Sequence, residues 1–257
     1  MNFELSEDHK AIRQLARDFA EKEIKPKIKD LRKKEFPWEH FKKMAELGFA
    51  GANIPQEYGG GGLDSLAVVL FTEEMCRVDP AVGLSVGAGL SLGIEPLKNF
   101  GTEEQKRFWF PKILSGETIV AYCQTEPQAG SDVAGIKTTG VIQGDEIIIN
   151  GQKQFITNGS VAGLMLVLLK TEPEKKHNGM TMVIVDAKKA KEEGSLAILK
   201  DEDKMGLHCS PTTSLLFTNC RVPISNILGF PGLGFKIAMA TLIGSLPMIA
   251  AQGVGIA

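Results

Sequence analysis

The stretch Thr138-Thr139-Gly140-Val141-Ile142-Gln143-Gly144-Asp145-Glu146-Ile147-Ile148-Ile149-Asn150-Gly151-Gln152-Lys153-Gln154-Phe155-Ile156-Thr157 decides the fold class, because strand formers and turn dipeptides crowd together there. Gly144-Asp145 separates the runs 138–143 and 146–150, and Asn150-Gly151 separates the second run from 152–157. Both dipeptides supply the positive φ of a two-residue hairpin, so three strands joined by two tight turns are predicted. Further strands are predicted at 164–170, 180–186, 196–199 and 213–217. Gaps this short leave no room for crossover helices, which predicts an antiparallel barrel or sandwich over residues 118–230.

On either side the pattern is helical. Residues 1–117 read as an all-helical domain. Ile12, Leu15, Ala16 and Phe19 form one apolar stripe behind the candidate caps Ser6 and Asp8, and Phe41, Met44 and Leu47 form another that Gly48 closes. A further helix is expected to begin at Asp64 or Ser65. Thr102 with Gln105 is a capping-box pattern for a helix ending near Gly116. From about Gly234 the chain is helical again. Residues 231–257 are therefore read as one further helix, which stops on apolar residues as if cut, and the class is α+β.

Composition narrows the function classes. The 257 residues are 43% hydrophobic and 23% charged, as in globular chains, and 29 Lys and Arg against 31 Asp and Glu give a net charge of -2. Such a balance argues against a nucleic-acid surface. The uninterrupted apolar runs at 164–169 and 182–185 are far short of the about 20 residues that cross a bilayer, so no integral membrane segment is expected. The acidic start (Glu4, Glu7, Asp8) does not read as a signal peptide. Four dispersed cysteines and four histidines, with only His208-Cys209 adjacent, predict buried reduced thiols and no metal site. The run Gly59-Gly60-Gly61-Gly62 precedes a helix but lacks phosphate-loop spacing and is read as a turn.

One segment stands out chemically: Tyr122-Cys123-Gln124-Thr125-Glu126-Pro127-Gln128-Ala129-Gly130-Ser131-Asp132, a strand running into a loop of small and hydroxyl residues. Backbone amides can approach a planar heterocycle or a diphosphate closely where side chains are short. The strand end Gln154-Phe155-Ile156-Thr157-Asn158-Gly159 adds an aromatic wall and a hydroxyl. Cys123 in its strand reads as an inert buried thiol, and Ser131 lacks a nucleophile elbow.

Residues 122–132, with Asn150-Gly151-Gln152-Lys153 and 155–159, resemble the flavin-binding signatures of the acyl-CoA dehydrogenases, the medium-chain type in particular. The likeness continues through Lys204-Met205-Gly206-Leu207, Arg221-Val222-Pro223, Gly234-Phe235-Lys236 and Tyr58-Gly59-Gly60, and so spans essentially the whole chain. The resemblance implies that residues 231–257 are the first helix of a C-terminal helical bundle lying beyond the chain, with FAD held between the β domain and that bundle in a homotetramer, a neighbouring subunit completing the site. Tyr122, Gln124 and Thr125 would line the flavin, Gly130 and Ser131 would meet its diphosphate, Phe155 would flank the ring, and Thr157 would hydrogen-bond N5. Ser131 would also lie near the acyl-CoA substrate, while Gly87, Ala88 and Gly89 would set the depth of the acyl pocket.

The chemistry so implied is α,β-dehydrogenation of an acyl-CoA, with electrons passed to an electron-transfer flavoprotein. The glutamate that takes the α-proton is expected beyond residue 257, or, as in a minority of members, at the position of Ser245. An Asp and an Arg usual in that helix are here Ile243 and Leu246. The expectation is an inactive chain by itself. Alternatives are a catalytically silent flavin- or acyl-CoA-binding relative supporting a partner subunit, or a reductase or oxygenase on the same fold. A cytoplasmic or organelle-matrix location is expected.

Overall fold

The computed structural model describes residues 4–31 and 35–257. Helix α1 (Glu7–Phe19) starts where the Ser6 side chain accepts the His9 N–H, and buries Ala16 and Phe19. It runs on through a widened turn at Ala20–Ile24 to α2 (Ile28–Leu31). Then come α3 (Trp38–Glu46), α4 (Ser65–Val78, capped by Asp64), α5 (Pro80–Ala88, capped by Asp79), α6 (Glu95–Phe100) and α7 (Glu103–Leu114). Thr102 and Gln105 close a reciprocal capping box at the start of α7. The Gly59–Gly62 run is a packed turn: the N–H groups of Gly60, Gly61 and Gly62 are spent on the carbonyls of Pro55, Gly51 and Ile54. A Cβ on Gly60 would lie 2.2 Å from the Ile54 carbonyl oxygen. No amide there is left for a phosphate.

The β unit contains β1 (Val120–Cys123), β2 (Thr139–Gln143), β3 (Glu146–Thr157), β4 (Leu164–Lys170) and β5 (Met180–Asp186). A short helix α8 (Ala187–Glu192) leads to β6 (Leu196–Asp201), β7 (Thr212–Pro223) and β8 (Ile227–Leu228). The strands form one sheet in the order β6-β7-β3-β2-β4-β5-β8, with β1 added beside β4.

Two expectations need correction. The sheet is mostly but not wholly antiparallel, because β1 runs parallel to β4 and Thr139 of β2 meets Lys170 of β4 in parallel sense. A parallel pair needs a long connection, and the β2–β3 hairpin supplies it in place of a helix. Second, Asn150-Gly151 is not a hairpin. β3 continues straight through it, because both halves of β3 pair with the long strand β7. The bulge lies opposite the dipeptide, on β7: between the pairs Ile149–Cys220 and Gly151–Phe217 the single residue Asn150 faces Thr218 and Asn219, Asn150 Oδ1 accepts the Asn219 N–H at 2.8 Å, and Gly151 sits at φ +149. Gly144-Asp145 does turn the chain, with Gly144 at φ +58 and Gln143 facing Glu146.

Every residue of β4 and β5 but the last is buried, since both faces of this part of the sheet are covered. The covering helix α9 (Gly234–Ile256) packs on α4, α5 and β5 through Ile237, Ala238, Met248 and Ala251. Pro80–Phe100 and Gly234–Ile256 are two helical stretches long and apolar enough to cross a membrane. The sequence expectation missed them because small and hydroxyl residues interrupt the apolar runs. In the first, 78% of the most apolar window is buried in protein; in α9 only 33% is.

The outward face of α9 exposes Ile243 (68%), Leu246 (62%), Ile249, Val254 and Ile256. An apolar strip of this kind drives association. Leu246→Glu with Ile249→Lys is expected to move the chain towards monomer in sizing chromatography while changing stability by no more than about 0.5 kcal/mol. An unchanged elution profile would contradict this.

Candidate functional site

The end of β1, the end of β3, the α5 region and α9 meet around a cleft of about 160 Å³, lined by Ala88, Leu92, Val120, Tyr122, Gln124, Thr125, Phe155, Ile156, Thr157 and Leu242. Two local features aim β3 into it. The β3–β7 register slips again between Lys153 and Ile156, and Phe155 takes φ +56, a left-handed conformation costly for an aromatic residue. The bulge re-aims the ring out of the strand's alternation, leaving Phe155 57% exposed at the cleft mouth. Just beyond, fully buried Asn158 (φ +63) donates from Nδ2 to the Ser85 carbonyl at 2.9 Å, pinning the end of β3 to α5. Among the described residues its Oδ1 has no partner.

A buried ion pair ties the two strand ends together. Lys153, 0% exposed, donates to Glu126 Oε1 at 2.7 Å and to the Gln124 carbonyl at 3.0 Å. The same carboxylate accepts the backbone N–H groups of Lys137 (2.6 Å) and Thr138 (3.0 Å) and the Gln128 side-chain amide (2.6 Å). Gln154 N–H adds a bond to the Thr125 carbonyl at 2.9 Å. Burial by itself would raise the Glu126 pKa, but the Lys153 charge and these donors outweigh it and hold the carboxyl at about 2. Burial pulls the Lys153 ammonium below the ordinary lysine value, opposed by Glu126.

The cleft offers uncommitted donors on an apolar frame. Among the described residues, the Thr125 and Thr157 hydroxyls and the Gln124 amide nitrogen have no hydrogen-bond partner. The Tyr122 hydroxyl donates to Gln124 Oε1 at 2.9 Å, and burial pushes its phenol pKa up. Cys123 is fully buried, its thiol pushed up to about 12 by that burial, which leaves it inert at neutral pH.

Of the residues singled out from sequence, Tyr122, Gln124, Thr125, Phe155, Thr157 and Ala88 converge on this cleft. Gly130 and Ser131 do not line it. They sit on the exposed loop after Glu126, where the space beside Gly130 is open. Gly89 faces a separate small cavity with Ile119 and Val120 behind the cleft, and Gly87 packs near Met248. Ser245 is buried and donates to the Leu242 carbonyl at 2.8 Å, so it is a helix back-bond and not a cleft residue. Sequence reading gave no role to Lys153, Glu126 or Asn158. A lone Lys or Asn in a strand resembles any solvated polar residue until its partners, 27 and 73 residues away, are placed.

A larger cavity of about 290 Å³ lies between α7, α8 and the end of β7. Several of its polar groups are already spent: Gln105 on the Ser225 and Ile227 carbonyls, Asp186 on the Lys189 N–H, and Asn226 on the Ile184 carbonyl. It contains none of the converging residues.

Comparison with known proteins gives the chain's relatives. Residues 6–117 match the acyl-CoA dehydrogenase N-terminal domain and residues 121–220 the acyl-CoA dehydrogenase middle domain. The probable acyl-CoA dehydrogenase YngJ of Bacillus subtilis is 42% identical over 259 residues, covering 100% of this chain and 67% of that protein. A short-chain specific acyl-CoA dehydrogenase of Clostridium acetobutylicum is 40% identical, with 100% and 67% covered. Among solved structures, butyryl-CoA dehydrogenase from Megasphaera elsdenii superposes with a TM-score of 0.93 at 36% identity, covering 99% of this chain and 67% of that one. A chain from the structure of the electron transferring flavoprotein of Acidaminococcus fermentans gives 0.94 at 41%, with 99% and 66% covered. An acyl-CoA dehydrogenase from Bacillus anthracis complexed with FAD gives 0.90 at 34%, with 98% and 42% covered. The chain thus spans about two thirds of the length of the curated relatives it matches.

Proposed function

This chain belongs to the acyl-CoA dehydrogenase family, and on that premise we propose that the cleft between the ends of β1 and β3 holds the ring system of FAD for the α,β-oxidation of an acyl-CoA thioester. The observation that supports this most is the convergence of the Phe155 ring with unspent donors on Gln124, Thr125 and Thr157, beside the small residue Ala88. A planar heterocycle with one apolar body and one polar edge suits that set. When bound, FAD supplies the hydride acceptor.

The chain's own residues have positional roles. Thr125, Thr157 and Gln124 would hydrogen-bond the polar edge, and Phe155 would wall one side of the ring. Ala88 and Leu92 leave room for the acyl chain. Gly130 and Ser131, on an open loop outside the cleft, would meet the diphosphate, with Ser131 near the substrate. Electrons would leave to an electron-transfer flavoprotein, in keeping with the Acidaminococcus structure among the relatives.

The cleft lining contains no carboxylate and no imidazole. The α-proton of a thioester needs a base within hydrogen-bond reach; on this reading the base would come from outside this lining, and the chain by itself would not turn over. That absence also supports a second reading, a flavin- or acyl-CoA-binding component without turnover.

Added FAD is expected to bind stoichiometrically with resolved visible bands, and to stabilise the chain by about 2.7 kcal/mol at a hundredfold excess over its Kd. Anaerobic addition of butyryl-CoA should leave the oxidised band intact. Failure to bind FAD would overturn the cofactor assignment, and bleaching would show that the chain has its own base.

A further inference from the structure

Lys153 is a buried charge two residues before the strained Phe155, joined to a carboxylate one residue after Thr125. As an ion pair alone it would be a poor device, because an apolar pair of similar volume is often as good, although Glu126 also serves the Lys137 and Thr138 N–H groups. An apolar pair cannot, however, hold the Gln124 carbonyl, which Lys153 Nζ does at 3.0 Å. The peptide between Gln124 and Thr125 is planar and trans, so its N–H points opposite to its carbonyl. Fixing the Gln124 oxygen on Lys153 therefore fixes the direction of the Thr125 N–H, away from the ammonium. The Gln154 N–H on the Thr125 carbonyl locks the next peptide in the same way.

Resting on the FAD reading above, we propose that Lys153 is a positioning residue that orients the Gln124–Thr125 peptide so that the Thr125 N–H addresses the polar edge of the bound flavin ring, with Glu126 serving to hold the ammonium in place. Lys153 acts through the backbone and does not itself touch the cofactor. On this reading Thr125 and Thr157 would contact the ligand, and Lys153 sets the angle at which one of those contacts is made.

The test compares the chain with Lys153→Met/Glu126→Leu, which removes both charges together, and with Glu126→Gln, which keeps the ammonium on the Gln124 carbonyl. Titration with FAD is followed by flavin fluorescence, the visible spectrum of the complex is recorded, and unfolding is measured without FAD. The double variant is expected to unfold below the parent's denaturant midpoint, because the Lys137 and Thr138 N–H groups lose their acceptor, and to bind FAD at least about tenfold more weakly with a displaced absorption maximum, a spectral change that a loss of stability alone would not produce. Glu126→Gln should keep the parent spectrum. A double variant that matches the parent in affinity and spectrum overturns this inference while leaving the FAD reading intact. A parent that binds no FAD overturns both. Should the double variant not fold, Lys153→Gln takes its place with the same readouts: weakened binding and a displaced maximum support the inference, and parent-like values overturn it.

Discussion

Glu126→Ala is expected to destabilise the chain by about 3–5 kcal/mol, because it strands a fully buried ammonium. The magnitude follows from what the carboxylate holds. Lys153 Nζ, the N–H groups of Lys137 and Thr138 and the Gln128 amide all donate to it. Removing the acceptor leaves those donors unpaired in a site only 4% exposed. Lys153→Ala should cost less, since the carboxylate keeps its two backbone N–H partners. Urea unfolding at pH 7 checks the order, and a larger loss for Lys153→Ala would show that the ammonium, not the carboxylate, organises the site.

The same pair sets an acid limit. The Glu126 carboxyl is lowered from 4.5 to about 2 in the folded chain. A depressed carboxyl contributes stability that is complete above its unfolded value and is lost as pH falls towards the folded one. Glu126 should therefore contribute on the order of 3 kcal/mol at neutral pH, disappearing between about pH 4.5 and 2. Other carboxyls are lowered as well, among them Glu74 against Arg17 and Arg13. The informative quantity is thus the difference between parent and Glu126→Gln across that interval, which should shrink with acid.

What sequence could and could not reveal follows one physical divide. Features set by neighbours in the chain were legible: the Thr102–Gln105 capping box, the Gly144-Asp145 turn, the strands at 164–170 and 180–186, and the start of α9 at Gly234. Features set by distant partners were not. Asn150-Gly151 satisfies the local rule for a hairpin as well as Gly144-Asp145 does, yet pairing with β7, 69 residues on at Asn219, holds it in a continuous strand opposite a bulge. Parallel pairing of β1 with β4 is likewise invisible until the chain between them is seen to be a hairpin. At the site, the converging residues were legible through short motifs on two strand ends. The Lys153–Glu126 pair that holds those ends together was quoted within the same motifs but had no local signature of burial.

Gly151→Ala tests the distant-partner side of that divide directly. A Cβ at Gly151 would lie 2.4 Å from Thr138 Oγ1 and 2.6 Å from Thr138 Cα, and the backbone there is at φ +149. Overpacking costs about 1–3 kcal/mol and a disfavoured backbone conformation a similar amount, so a loss of about 2–6 kcal/mol is expected. Gly144→Ala provides the control: its φ is also positive, but nothing lies within 4 Å of the added carbon, and a loss of only about 1–2 kcal/mol is expected. If Asn150-Gly151 were an ordinary tight turn, the two substitutions would cost alike. A continuous β3 makes a further demand that a turn would not. Thr138 gives its N–H to Glu126, and Lys153 follows Gly151 by two residues along β3. Pushing β3 away from Thr138 therefore pulls at both ends of the ion pair, and Gly151→Ala should weaken FAD binding as well as stability, whereas Gly144→Ala at the far hairpin should leave binding unchanged.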